Sequence, residues 1–287
     1  MAAPSVSAPT IAIIAAGEMG SAVGARLVEK GARVVTSLEG RSAASRTRAA
    51  RAGLVAAADD RSLLADADYL LSIVPPGSAL DFARRMAATL RDLNKKPVFV
   101  DCNAVSPATA IAIGQEIEAA GVAFVDAGIV GPPPKPGASG TRFYASGSRA
   151  RDFARLNEYG LDIRVLDERI GTASALKLSY ASLTKGFTAL GAVAILAAER
   201  AGISDALRAE LALSRPDFLA YLERQMPGMY AKAYRWVAEM EEISSFLERE
   251  PEGAAFFEAA AELYRGIAAD LEGPEVAALK RFTGKGK

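Results

Sequence analysis

The 287-residue chain contains no histidine. That absence removes a Ser-His-Asp triad, a Cys-His nucleophile pair and any His-ligated metal site in one step. A single cysteine, Cys102, excludes an intrachain disulfide and a thiolate zinc centre. Excess charge is lacking as well. The 34 basic residues balance 34 acidic ones, which leaves no electrostatic footprint for nucleic acid or an anionic membrane. The opening MAAPSVSAPT has neither a basic segment nor a sizeable apolar one, so no secretory signal is expected. Acid–base work must then fall to Lys, Tyr, Asp, Glu or Cys. Hydrophobic residues make up 51% of the chain, enough for one large or two medium cores. The expectation is a cytoplasmic enzyme or binding protein without a metal.

One stretch organises the rest. Gly171–Gly202, GTASALKLSYASLTKGFTALGAVAILAAERAG, has no proline and is rich in Ala and Leu, which predicts one long helix closed by Gly202. Its interior charges before Glu199 are Lys177 and Lys185. The charge-free run Gly186–Ala198 is too short to cross a bilayer, so the helix is expected in a soluble core. Apolar residues surround nearly the whole helix, which predicts burial on most sides. The helix divides the chain into an α/β domain, 1–168, and an all-helical domain, 169–287.

Residues 1–9 form a loose, Pro-punctuated arm. The next segment, TIAIIAAGEMGSAVGARLVEKGARVVTSL, has the pattern strand, tight turn, helix, strand. Its turn, Ala15-Ala16-Gly17-Glu18-Met19-Gly20, follows the dinucleotide fingerprint G-x-G-x-x-G with alanine in the first glycine position. Gly17 would let backbone approach a diphosphate, and Gly20 would allow close helix–strand packing. Glu18 and Met19 open a helix whose free N–H groups suit an anion. The alternative is an αβ turn whose glycines serve geometry alone. An acidic residue that holds the ribose of NAD would stand near Ser37. Here Arg41 and Ser42 follow, with Arg46 a turn later, and guanidinium plus hydroxyl suits a 2′-phosphate. NADP is therefore favoured over NAD, although Glu39 could bind the ribose. Arg48 and Arg51 are read as a solvated helix face.

Further strands are expected over 67–74, 97–100, 122–125, 141–146 and 162–166, with helices over 106–120 and 148–159. Ligands in open α/β sheets sit beyond the carboxyl ends of strands. That makes Val74, Pro75, Asn103 and the stretch Gly128–Pro133 with Gly131 candidate rims of a nicotinamide site. Asn103 could hydrogen-bond a carboxamide or a substrate hydroxyl, or simply cap a turn. Cys102 is read as a small buried filler. Gly131–Gly140, GPPPKPGASG, is either a rigid loop over the substrate or a connector between strands.

These pieces together resemble the β-hydroxyacid dehydrogenases, the group of 6-phosphogluconate and 3-hydroxyisobutyrate dehydrogenases. The likeness spans roughly the first two-thirds of the chain. The family motif G-x-x-G-x-G-x-x-x-K-x-x-x-N is met in part by Gly171 to Ala181, with Lys177 in the lysine place and Ala181 where asparagine is usual. The family's D-x-P-V-S-G-G loop appears as Asp126 to Pro132, with Val130 in the serine position. The resemblance implies a hydride-transferring enzyme in which Lys177 is the general acid/base. A lysine can do this chemistry when desolvation lowers its pKa. Lys177 could equally be a snorkelling or ion-paired structural residue. Tyr180 and Thr184, at i+3 and i+7, are candidates to orient substrate. Lys185 is left structural.

From Asp205 on, helices are expected near 204–213, 216–226, 228–249, 252–271 and 274–282, broken by Pro and Gly signals. In Tyr230–Phe246, Arg235 and Glu239 form an i,i+4 pair. Either this is an ordinary amphipathic helix, or Lys232, Tyr234, Arg235 or Glu239 reaches the substrate pocket. Thr283–Lys287 is a frayed tail. The resemblance, with a helix reaching the cleft from a partner subunit, and the all-round apolar helix both predict a homodimer. The leading reading is an NADP-dependent oxidoreductase acting on a small hydroxy acid or related alcohol or carbonyl compound. Imine reduction on the same scaffold and a non-catalytic NADP-binding regulator are the rivals.

Overall fold

The structure, a computed structural model, describes residues 8–14, 16–138 and 140–284. Most of the expected N-terminal arm, Ala15 of the fingerprint and the end of the expected tail lie outside the described residues. The chain falls into two compact units, Met1–Lys177 and Leu178–Lys287. Their boundary lies inside the long helix that starts at Thr172.

The first unit alternates β1 (Thr10–Ile14), α1 (Glu18–Glu29), β2 (Arg33–Ser37), α2 (Ala43–Arg51), β3 (Val55–Ala57), α3 (Asp60–Leu64), β4 (Tyr69–Ser72), α4 (Ala79–Arg91), β5 (Val98–Asp101), α5 (Pro107–Glu118) and β6 (Phe124–Val130). β7 (Arg142–Ser146), α6 (Ala150–Phe153) and β8 (Ile163–Val165) complete it. The sheet order is β3-β2-β1-β4-β5-β6-β7-β8. The first six strands run parallel, β7 turns back against β6, and β8 runs parallel to β7. This is the doubly wound Rossmann arrangement with an added pair of strands. Alternate strand residues face opposite sides. Ile11 and Ile13 join a core with Val23 and Leu27 of α1, while Ala12 and Ile14 join one with Phe82 and Met86 of α4. Burial on both faces is why β1 is a continuous apolar run.

Three local expectations need correction. β3 was not anticipated: it is a three-residue edge strand with Val55 exposed, too short and too wet to show a pattern. β6 does not stop at Val125 but runs to Val130, because Asp126–Val130 pair with Arg142–Ser146 of β7. Gly128 to Val130 are therefore buried strand residues, not a rim. The expected helix over 148–159 is one turn of α-helix, α6, followed by a 3-10 segment, Ala154–Tyr159.

α7 (Thr172–Arg200) is the expected long helix. The second unit continues with α8 (Ser204–Ser214), α9 (Pro216–Tyr230), α10 (Ala233–Phe246), α11 (Pro251–Ala269) and α12 (Pro274–Phe282). α9 carries Pro227 within it and ends after Tyr230, not before Pro227, since Met226 and Met229 are both fully buried and hold the turns on either side in the core. Gly191 lets α7 approach α9: a methyl there would lie 2.6 Å from Leu222 Cδ2. α7 is long and apolar enough to cross a membrane, but half of its most apolar stretch is buried inside the protein. The other half is not, contrary to the expected burial on most sides. Tyr180, Leu183, Phe187, Leu190 and Val193 are exposed.

Candidate functional site

The candidate cofactor residues converge on one edge of the first unit, at the carboxyl ends of β1, β2, β4, β5 and β6. Gly17 precedes α1, whose N-terminus has no side-chain cap. The first helical bond runs from Ser21 N–H to the Gly17 carbonyl at 3.0 Å, so the N–H groups of Glu18, Met19 and Gly20 precede the ladder. Gly17 has φ −72°, which any residue adopts, and a methyl built on it meets nothing within 4 Å. Neither backbone strain nor packing requires glycine there. A ligand lying against the helix start would, so the turn fits a diphosphate. Gly24, which sequence reasoning missed, is closely packed: a methyl there lies 2.9 Å from Leu54 Cδ1. Gly20 is buried.

β2 ends at the half-buried Ser37, and a turn follows in which Arg41 N–H donates to the Leu38 carbonyl at 3.2 Å, with Gly40 at φ +65°. Ser42 caps α2 by accepting Ser45 N–H. The first turn of α2 has no acidic residue, while Arg46 Nε donates to the Arg41 carbonyl at 3.2 Å. Two arginines and two serines thus gather at one helix N-terminus, and Glu39 is exposed beside them. Arg48 corrects the reading of a solvated face. It is half-buried, donates to Ser45 Oγ at 3.0 Å and reaches the Ala16 carbonyl of the fingerprint turn at 3.4 Å.

Asn103 is not free to bind a carboxamide through its N–H groups. Its Oδ1 accepts Val74 N–H at 2.7 Å, and its Nδ2 donates to Ser72 Oγ at 2.9 Å and Asp101 Oδ1 at 2.5 Å. The side chain is buried and ties the ends of β4 and β5 together, which fixes Val74; Pro75 follows at the surface. Asp101 is fully buried with Oδ2 unpartnered among the described residues. Burial first, then the neighbouring Asp126 charge, push its carboxyl up to about 7. Cys102 is buried as expected, and burial raises its thiol well above the usual range.

Gly131 follows β6 at φ +108°, and a side chain there would strike the Gly140 carbonyl. The loop it opens joins β6 to β7, and Arg26 of α1 ties it down by donating to the Lys135 carbonyl at 2.5 Å. The Pro/Gly loop is thus a connector held on α1.

Lys177 is half-buried and makes no hydrogen bond or ion pair among the described residues. It packs on β6 at Gly128, where a methyl would lie 2.7 Å from Lys177 Cβ and 3.1 Å from the Ala173 carbonyl. The remaining candidates belong to the second unit. Tyr180 is exposed; Thr184 Oγ1 donates to the Tyr180 carbonyl of its own helix at 3.1 Å; Tyr234 is exposed. Glu239, spaced to pair with Arg235, is buried and pairs with Lys185. The Lys185 ammonium also lies 5.4 Å from the Trp236 ring centroid.

Residues 10–159 match the family described as the NAD binding domain of 6-phosphogluconate dehydrogenase. The chain belongs to this family. As a 6-phosphogluconate dehydrogenase-like protein it is an NAD(P)-dependent oxidoreductase with an NAD(P)-binding domain. Residues 198–267 match a domain of unknown function, DUF1932. A conserved protein of unknown function, reported as structurally similar to 3-hydroxyacid dehydrogenases, is 31% identical, covering 91% of this chain and 98% of its own, with a TM-score of 0.65. An uncharacterized 28.5 kDa protein in the 7S RNA 5′ region of Methanothermus fervidus is 28% identical over 238 residues, 83% of this chain and 90% of its own. The fold alone is shared with a 3-hydroxyisobutyrate dehydrogenase from Salmonella typhimurium (17% identity, 95% and 99% covered, TM-score 0.71). It is also shared with an imine reductase from Myxococcus stipitatus (21% identity, 96% and 99% covered, TM-score 0.58).

Proposed function

We propose that this 6-phosphogluconate dehydrogenase-like protein is an NADP-dependent oxidoreductase that transfers a hydride between nicotinamide and a small hydroxy acid or related alcohol or carbonyl compound. Lys177 serves as the general acid/base. The observation that carries this reading is the Lys177 side chain: the residue is half-buried, has no hydrogen bond or ion pair among the described residues, and packs its Cβ on Gly128 of β6. A structural lysine is normally ion-paired or snorkels to water. A lysine kept for proton transfer needs its nitrogen free to meet a substrate oxygen. The cofactor supplies the hydride-accepting or hydride-donating ring. Gly17, Glu18, Met19 and Gly20 would hold its diphosphate, and Val74 and Pro75 would border its nicotinamide end. Asn103 acts by fixing Val74. Lys177 takes the hydroxyl proton during oxidation and returns it during reduction.

NADP preference rests on Arg41, Ser42, Arg46 and Arg48 around the start of α2, where guanidinium groups suit a phosphate dianion. One imine reductase of this fold was solved with NADP+ and, as a variant, with NAD+, so the fold accepts both. The protein acts in the cytoplasm as a homodimer. Support for the dimer is the exposed apolar row Tyr180, Leu183, Phe187 and Leu190, spaced three, four and three residues apart on α7. Such a row suits the seam of a second helix. Imine reduction is the second reading. It is favoured by Ala181 and Val130, both buried apolar residues where the family pattern has asparagine and serine.

The test is a fluorescence titration with NADPH and NADH of the wild type and of the Arg41→Ala and Arg48→Ala variants. Tight NADPH binding, weak NADH binding and a preference lowered by about tenfold or more in each variant are expected, as for loss of a charged phosphate contact. Equal binding of both nucleotides by the wild type would overturn the NADP assignment.

A further inference from the structure

Asp126 lies on β6 in register with Asp101 of β5 and Ser146 of β7. Its carboxylate is buried, and both oxygens are engaged. Oδ2 accepts Gly171 N–H at 2.9 Å, Ser174 N–H at 3.1 Å and the Ser146 hydroxyl at 3.1 Å. Oδ1 accepts the Ser174 hydroxyl at 2.7 Å. Ser146 Oγ in turn accepts Ala173 N–H at 3.0 Å. These are the orphan donors at the start of α7. Gly171 has no side chain with which to cap them, so the cap comes from two strands that lie tens of residues earlier.

A local cap fixes only where a helix begins. A cap supplied by a strand also fixes where that helix sits on the sheet. Residues two apart on a strand face the same side. Asp126 grips the first turn of α7, and Gly128, two residues further along β6, receives Lys177 one turn later. The methyl-to-Cβ separation of 2.7 Å that any side chain at 128 would have shows how closely the strand and helix approach there. We infer that Asp126 is a positioning residue for Lys177: through Gly171, Ser174 and Ser146 it sets the seating of the first turn of α7 on β6, and with it the location of the Lys177 nitrogen. The inference rests on the reading of Lys177 as the general acid/base. A buried carboxylate kept solely for stability would leave Lys177 indifferent to how Asp126 is bonded.

The test uses Asp126→Asn, Ser174→Ala, Ser174→Thr and Lys177→Ala in the full chain. Asp126→Asn places an amide N–H against donors, while Ser174→Ala removes one hydroxyl and Ser174→Thr restores it. The first readout needs no substrate. Trinitrobenzenesulfonate labelling is followed by peptide mass spectrometry, with Lys30 and Lys95 as internal controls. Lys177 labelling is expected to rise at least about threefold in Asp126→Asn and Ser174→Ala as the helix start loosens, with the controls unchanged and Ser174→Thr near wild type. The second readout is NADPH oxidation with a panel of small oxo acids, aldehydes and ketones. With the best of these, kcat is expected to fall about tenfold or more and KM to stay within about twofold, as for a displaced catalytic group. Unchanged Lys177 labelling in a folded Asp126→Asn protein overturns the inference. If Asp126→Asn does not fold, Ser174→Ala decides by the same criterion. Full turnover in Lys177→Ala overturns the catalytic reading instead, a result the labelling arm does not depend on.

Discussion

Replacing Asp101 by asparagine should change the pH dependence of stability in a way that surface carboxylates do not. The fully buried carboxyl lies opposite Asp126, which has four donors to hold its charge. Asp101 accepts the Asn103 amide on Oδ1, and its Oδ2 has no partner among the described residues. Burial raises the Asp126 carboxyl too, but its four donors oppose that rise, so the pair keeps its charge on Asp126 and its proton on Asp101, whose carboxyl is lifted from 3.8 to about 7 by burial and then by Asp126. The sign follows from linkage. Below about pH 4 the native and unfolded states both hold the proton. Between there and about pH 7 the native state holds it while the unfolded chain has released it, so stability falls as pH rises, and the decline ends above the folded value. At about 1.4 kcal/mol per pH unit the whole window is worth on the order of 4 kcal/mol. Asp101→Asn cannot titrate. Its buried N–H, facing no acceptor, costs about 1–3 kcal/mol at every pH. A protonated carboxyl carries a similar orphan, so the two proteins should be close at pH 5. The variant should pull ahead by about 2–3 kcal/mol at pH 8, where the wild type holds two buried charges. Urea unfolding at several pH values, followed by far-UV circular dichroism, reads this. The one tryptophan, Trp236, lies in the other unit and is the wrong probe. Parallel stability curves for the two proteins from pH 5 to 8 would refute the reasoning.

Two further outcomes are expected. Glu239→Gln takes a carboxylate from Lys185, whose side chain is only 15% exposed, and should cost about 3–5 kcal/mol of second-unit stability. Here Trp236 fluorescence is the suitable monitor, and a loss below about 1 kcal/mol would mean that the pair is solvated. Gly128→Ala puts a methyl 2.7 Å from Lys177 Cβ and should cost about 1–3 kcal/mol by overpacking while lowering turnover. NADPH affinity should stay near wild type, and a variant with full turnover would show that β6 yields easily there.

Much of the frame was legible in the chain because it is local. The run Ile11–Ile14, the Gly17 turn, the proline and glycine stops and the long helix all follow from periodicity and backbone preference over a few residues. Lys177 was singled out through a motif, which is local, whereas its packing on Gly128 of β6 is not. The signals that failed were weak for physical reasons. β3 is an edge strand too short to alternate. β6 outruns its parallel neighbours because an antiparallel partner, invisible in its own residues, supplies the bonds. Pro227 did not end α9 because buried methionines on both sides outweigh its missing N–H.

The sequence by itself determined most of the strand–helix alternation and the free N–H groups at the start of α1. Tertiary structure alone decided how the polar side chains are used. Asn103 looked like a ligand-binding amide until strands β4 and β5 occupied its donors. Arg235 stands at the right spacing for Glu239, yet that carboxylate also meets Lys185 of α7, 54 residues earlier. Asp126 gained its role from Gly171 and Ser174, residues 45 and 48 positions later in the chain. Hydrogen bonds and ion pairs between distant segments leave no periodic trace, because the sequence holds the two partners without the fold that brings them within 3 Å.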